Sequence, residues 1–281
     1  MRKYFHLAIF AAALLPVSCT SSWTPAVEPD FLKYELSGPV ASMRTVPYTV
    51  DSVSGEMSGI DITAENTYVE FDRDGRITLQ RYYNSKNEHV ADMRHIYDAD
   101  GHMTGSVRTS ALGSVLESSV RRYSGDRLMS ERFTGEDDSL KKYEEYRYYA
   151  PDSVVMEFSF KEGKPAGQRV MEYDSVGRVI SSVTRAGGGV MSDMTFAYDS
   201  VGHRILVASN SVFMGELSVS SEYDDMGFCV SSEIDGQRGK MRLRFEHELD
   251  SLGNWTVRRT YRDSSPTPVR IELRTLTYYA D

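Results

Sequence analysis

One phrase, aromatic-Asp-x-x-Gly, returns at near-constant spacing along 281 residues, and it restricts the fold more than any other feature. It reads Phe71-Asp72-Arg73-Asp74-Gly75, Tyr97-Asp98-Ala99-Asp100-Gly101, Tyr173-Asp174-Ser175-Val176-Gly177, Tyr198-Asp199-Ser200-Val201-Gly202 and Tyr223-Asp224-Asp225-Met226-Gly227, with Leu249-Asp250-Ser251-Leu252-Gly253 as a variant. Weaker copies beginning at Tyr123 and Tyr149 fill the gap, so eight copies start at 71, 97, 123, 149, 173, 198, 223 and 249. The period is mostly 25 or 26 residues. Half a period away lies a second series of breakers, among them Asn84-Ser85-Lys86-Asn87, Gly163-Lys164-Pro165 and Gly187-Gly188-Gly189. Each period therefore holds two turns and two strands.

The strands read as half-buried. Met241, Leu243, Phe245 and Leu249 are apolar at odd positions, while Arg242, Arg244, Glu246 and Glu248 are charged at even ones. No window shows a 3.6-residue period, so almost no helix is expected. With a degenerate pair around Val40 to Val50 and Ile62 to Phe71, the chain predicts about 18 strands joined as an all-β antiparallel meander of eight or nine hairpins. A closed ring of that many strands would enclose a hollow that apolar side chains could not fill. The expected form is thus one twisted, curled sheet in which Leu243, Phe245 and Leu249 meet their counterparts from other units.

The Asp-x-x-Gly element has a mechanical reading. Asp at the first position of a type I turn bonds the backbone two residues on, and Gly at the fourth takes a positive φ that starts the next strand through a bulge. This assigns structural turns to Asp72, Gly75, Asp98, Gly101, Asp174, Gly177, Asp199, Gly202, Asp224, Gly227, Asp250 and Gly253. Gly188, in the variable opposite loops, is expected to tolerate substitution better. The repeated turn also accounts for Asp72-x-Asp74-Gly75 and Asp98-x-Asp100-Gly101 without a calcium loop, whose further ligands are missing.

These copies resemble the YD repeats of Rhs-type proteins over roughly residues 62 to 281, with Phe196-Ala197-Tyr198-Asp199-Ser200-Val201-Gly202-His203-Arg204-Ile205 the closest single match. The resemblance implies side-by-side hairpins in a long curling sheet, which large members close into a shell around a toxin. This chain has about eight units and no toxin-like domain. It looks more like the small lipid-anchored YD-repeat proteins of Gram-negative bacteria, a likeness that implies a fold and no activity.

The amino terminus reads as an address. Arg2 and Lys3 precede an apolar run from Phe5 to Val17, about 13 residues, which suits a signal peptide and is too short to span a bilayer. The run closes with Leu14-Leu15-Pro16-Val17-Ser18-Cys19, which resembles a bacterial lipobox with Pro16 in place of the preferred Leu. The resemblance implies lipidation of Cys19. The domains follow as a lipoprotein signal peptide at 1–18, a tether at 19–30 rich in Ser, Thr and Pro, and a YD-repeat domain at 31–281. The expected location is the cell envelope, at the outer membrane with the domain in the periplasm, the alternative being exposure at the cell surface.

Composition narrows the partners. Removing Arg2 and Lys3 with the signal leaves 30 basic against 41 acidic side chains, which argues against nucleic acid. Two cysteines make no disulfide framework. The chain has no Gly-x-Ser-x-Gly elbow, no His-Glu-x-x-His and no paired Cys, so no catalytic residue, metal or cofactor is assigned. His102 and His203 follow the turn Gly, in a slot held elsewhere by Arg76, Arg178, Phe228 and Asn254, and so read as exposed repeat positions. The expectation is a non-enzymatic scaffold or binding module for an envelope protein or glycan. The alternative is a glycan or peptide hydrolase, for which Glu144 with Glu145 is the nearest carboxylate pair.

Overall fold

The computed structural model describes residues 24–25, 30–149, 152–161 and 163–280. Cys19, the signal segment 1–18 and most of the tether lie outside the described residues. One helical turn, α1 (Asp30–Lys33), is followed by β1 (Val40–Val50), β2 (Met57–Ile60), β3 (Thr67–Phe71), β4 (Ile77–Tyr83), β5 (His89–Tyr97), β6 (Met103–Ser110), β7 (Val115–Ser124), β8 (Arg127–Gly135) and β9 (Leu140–Tyr149). The second half holds β10 (Ser153–Lys161), β11 (Lys164–Tyr173), β12 (Val179–Ala186), β13 (Gly189–Tyr198), β14 (Arg204–Ser211), β15 (Gly215–Tyr223), β16 (Cys229–Gly236), β17 (Gly239–Leu249), β18 (Trp255–Arg262) and β19 (Arg270–Tyr278).

From β3 to β19 each strand pairs antiparallel with the next, as a meander requires. The sheet does not stay open. β1 pairs on both its edges, with Met43 opposite Leu276 of β19 and opposite Val69 of β3, so 18 strands close into a barrel while short β2 pairs only with the far end of β1. This corrects the expected open, curled sheet. Closure removes two unpaired edges at once, and the hollow that argued against it need not be packed solid. Strand contacts run between hydrogen-bonded neighbours, and Leu243 and Phe245 line a hollow rather than meeting counterparts from distant units.

The repeat is also where each hairpin is fastened to the one before it. A register shift falls at the aromatic position in the copies at Phe71, Tyr97, Tyr123, Tyr173, Tyr198, Tyr223 and at Leu249. Such a bulge bends the strand and re-aims its side chain. The hydroxyl then reaches back to a carbonyl at the start of the preceding hairpin's second strand. Tyr97 donates to Ile77 O (2.9 Å), Tyr123 to Met103 O (3.1 Å), Tyr198 to Val179 O (2.9 Å) and Tyr223 to Arg204 O (3.2 Å). In the copy at 149 the neighbouring Tyr148 does this, donating to Leu128 O at 2.9 Å. At the seam Tyr279 donates to Phe71 O at 2.6 Å, joining the carboxyl end to the first repeat.

Candidate functional site

The turns set one rim of the barrel. Asp Oδ1 accepts the N–H groups two and four residues on, from Asp74 and Arg76 at Asp72, from Asp100 and His102 at Asp98, and from Val176 and Arg178 at Asp174. The same pair of bonds recurs at Asp199, Asp224 and Asp250. Gly75, Gly101, Gly177, Gly202, Gly227 and Gly253 all have positive φ. The side chain after each Gly packs on the next repeat. Arg76 lies over Tyr97 and Arg178 over Tyr198, and His102 stacks on Tyr123 at 4.8 Å and His203 on Tyr223 at 4.6 Å; in the copy at 123, Arg127 follows Asp126 instead of a Gly and lies over Tyr148 in the same way. The two histidines are thus half-buried parts of a ladder. Asp98, Asp100 and His102 bring ligand-type atoms within 4.8 Å of one another, but turn bonds and the stack already employ Asp98 and His102.

Side-chain alternation gives the barrel two unlike faces. Outside lie Arg242, Arg244, Glu246 and Glu248, all exposed, with Glu233 and Arg259 facing them from the adjacent strands. A lipid-facing wall carries an apolar band instead, and the outward positions of β17 form none. On the inner face Phe196, Val207, Val219, Ile234 and Met241 stand directly opposite one another across β13 to β17. Every one of them is only half-buried, whereas side chains in a filled core would be covered. An 18-strand ring is wide enough to keep such a hollow.

One side of that hollow is occupied by the chain's own residues 30–38. Phe31 and Tyr34 meet Phe71 edge-on at 5.0 and 6.0 Å, and Tyr34 and Leu36 join a buried cluster with Val40, Met43, Val69 and Ile77. Polar groups hold the segment in place. Asp30 accepts from Ile77 N (2.8 Å), Arg274 Nη1 donates to Tyr34 O (3.0 Å), and Asn254 bonds both Ser37 N and Ser37 O. Glu35 accepts from Trp255 Nε1 at 2.9 Å and faces Arg258, which also makes a two-pronged pair with Glu272. Trp255 is fully buried under Arg274, whose guanidinium is brought down to about 9 by desolvation and then by Arg258.

A second polar patch sits on the inner wall at β7 to β9. Arg121 pairs with Glu131 at 3.0 Å, Lys142 with Glu144 at 3.0 Å, and Tyr146 donates to Glu144 at 2.6 Å. Burial, then Glu144, pushes the Tyr146 phenol well up. Glu144 and Glu145 do not converge, because consecutive strand residues point to opposite faces; Glu144 faces its cross-strand neighbour Glu131. Each of those buried acids has its own cation.

Sequence reasoning missed the inner segment. Phe31, Tyr34 and Leu36 carry no repeat signature, and Trp255, Arg258 and Arg274 are marked only by being large or charged at inward positions. Cys19 lies outside the described residues.

No protein family and no curated protein matches the chain. Among solved structures it is similar to a porin-like protein from Bacteroides uniformis, with a TM-score of 0.33 and 8% identity over 86% of this chain and 98% of that one. It is also similar to the TcdB2-TccC3 structure (TM-score 0.30, 13% identity, 80% of this chain) and to TcdB2-TccC3-Cdc42 (0.30, 14%, 75%), spanning 16% of each of those chains.

Proposed function

We propose that this protein is a non-enzymatic envelope lipoprotein, held through Cys19 at the outer membrane with its barrel in the periplasm, that binds an apolar polypeptide segment of an envelope protein inside the barrel. The observation that carries this reading is the half-exposed apolar row Phe196, Val207, Val219, Ile234 and Met241 behind a charged outer wall. Leaving such a surface to water is unfavourable by roughly 25 cal/mol per Å², so an occupant with apolar side chains gains by covering it. Residues 31–36 illustrate the kind of guest the wall accepts: aromatic and aliphatic anchors, with a backbone carbonyl caught by Arg274. The row Phe196, Val207, Val219, Ile234 and Met241 itself offers a glycan no hydrogen-bonding side chain. Hydrolysis is disfavoured because Glu131 and Glu144 are each tied to a cation.

The test is site-directed photo-crosslinking in the native envelope, with a benzophenone side chain at Phe245 on the inner wall and, for comparison, at exposed Glu248 on the outer. Adducts with polypeptide from position 245 and none from 248 are expected. Adducts from 248 alone would overturn the reading. For the anchor, Cys19→Ala is expected to release the protein from membranes; unchanged partitioning and mass would remove the lipoprotein assignment.

A further inference from the structure

A cavity of about 540 Å³ opens at the rim opposite the Asp turns, between the connection from β2 to β3, the end of β4 and Lys33 of the inner segment. Its size is that of a small-molecule site. The most buried residue lining it is Thr67, 5% exposed, whose hydroxyl has no hydrogen-bond partner among the described residues. Register sets Thr67 between Thr45 of β1 and Tyr82 of β4. A hydroxyl left unpaired at that depth is destabilising. Asp61 and Asn66 are also buried in the lining, but both are engaged: Asp61 accepts from Arg270 Nε at 2.6 Å and Asn66 from Arg44 Nη2 at 2.7 Å.

The charges at this cavity are unlike those elsewhere on the inner wall. Arg121 and Glu131, Lys142 and Glu144, and Arg258 and Glu272 are tied in pairs. Lys33 and Glu65 both line the cavity from exposed positions, and neither forms an ion pair with the other or with any described residue. Lys33 lies 5.4 Å over the ring of its neighbour Tyr34. Glu65 faces the same phenol, which burial and then this carboxylate push up to about 12. The lining also offers Ile60 and the Tyr82 ring, and no described cation or second ring covers Tyr82.

We propose that this cavity binds a short peptide with both termini free, at a site separate from the apolar row of β13 to β17. The pairing of one free cation with one free anion selects the ligand class. An anion such as phosphate would meet Lys33 but also Glu65, a simple amine would meet Glu65 but also Lys33, and a neutral sugar would leave both unmatched. A zwitterion answers both, its carboxylate at Lys33 and its ammonium at Glu65. A single amino acid fills little of the volume. A di- or tripeptide fits it, lays side chains on Tyr82 and Ile60, and brings amide groups, one of which gives the Thr67 hydroxyl its missing partner.

Isothermal titration calorimetry on the full-length protein, with trialanine as the probe, tests this. Trialanine is expected to bind, and N-acetyl-trialanine and trialanine amide each to bind at least about tenfold more weakly, the loss of one charged contact. Glu65→Gln should weaken trialanine and leave N-acetyl-trialanine unchanged, because that peptide has no ammonium to lose. Lys33→Met should weaken trialanine and leave the amide unchanged. Thr67→Val keeps the shape and removes the hydroxyl; it is expected to weaken trialanine while the urea midpoint of the unliganded protein stays the same or rises. Circular dichroism checks the fold of each variant. No binding of trialanine to the unaltered protein, equal binding of the three peptides, or variants that weaken all three alike overturns the proposal. Binding of the neutral disaccharide cellobiose in place of trialanine would overturn it too, as a sugar site.

Discussion

Valine at Gly177, Gly202 or Gly227 would have to hold a β-branched side chain at φ between 87° and 114°, a region such residues avoid. Each substitution is expected to cost about 1 kcal/mol or more in urea denaturation. Gly188, expected from the sequence to be tolerant, has φ of 83° and belongs with the sensitive group, a correction to that reading. The tolerant comparison is Gly189, where nothing approaches an added Cβ within 4 Å; Gly189→Ala should change stability by less than about 0.5 kcal/mol. The turn carboxylates add a pH dependence. Partial desolvation raises the pKa of Asp199, but bonds from the His203 ring and the N–H groups of Gly202, His203 and Val201 outweigh it and hold the carboxyl at about 2. Asp98, Asp174 and Asp250 are likewise held below 3.8 by backbone and side-chain bonds that overcome desolvation. A carboxyl depressed in the folded state contributes stability above its unfolded pKa and loses it as pH falls through the folded one. Urea midpoints should hold steady down to about pH 4 and drop between about pH 4 and pH 2, less steeply in Asp199→Asn. A midpoint that rose across that window would contradict the turn bonding.

The hairpins are joined by hydroxyl-to-carbonyl bonds and by stacking on the same ring, and the two contributions can be separated at Tyr198. Tyr198→Phe removes the bond to Val179 O and keeps the face under Arg178; a loss of about 1 kcal/mol is expected. Tyr198→Leu should lose more, and equal losses would mean that the stack contributes nothing. At this scale the sequence was informative about half of the device. The alternation around Met241, Leu243 and Phe245 revealed the strand and its two faces, and the recurring Tyr was plain to see. Its partner was not legible, because Ile77 and Val179 lie 20 and 19 residues upstream of the tyrosines that reach them, and only the bulge brings each pair together. For the same reason His102 and His203 read as exposed, although each lies on a ring from the following repeat.

Closure depends on contacts that span almost the whole chain, from Val40 to Tyr278 and from Phe71 to Tyr279, and no local pattern announces them. The repeat showed that a meander forms; it could not say whether the two ends meet. The inner segment was equally hidden, since Phe31, Tyr34 and Leu36 become meaningful only once β1, β3 and β19 curve around them. An open sheet built of near-independent hairpins would lose stability gradually on shortening. The barrel predicts otherwise: deleting residues 270–281 removes β19, Arg274 and Tyr279 together, and should destabilise the whole molecule in one step, measured as a collapse of the urea midpoint. A decline proportional to the strands removed would speak for independent hairpins. The seam also sets an order of events. Among the described strands β1 is the first to be synthesised, yet one of its two edge partners, β19, is the last, so the ring cannot shut until residue 278 has been made. During that wait β1 offers an unsatisfied edge to any β19 within reach, including one from a second copy. Crowding of nascent chains would then yield strand-exchanged dimers whose subunits are each correctly paired everywhere except at the seam.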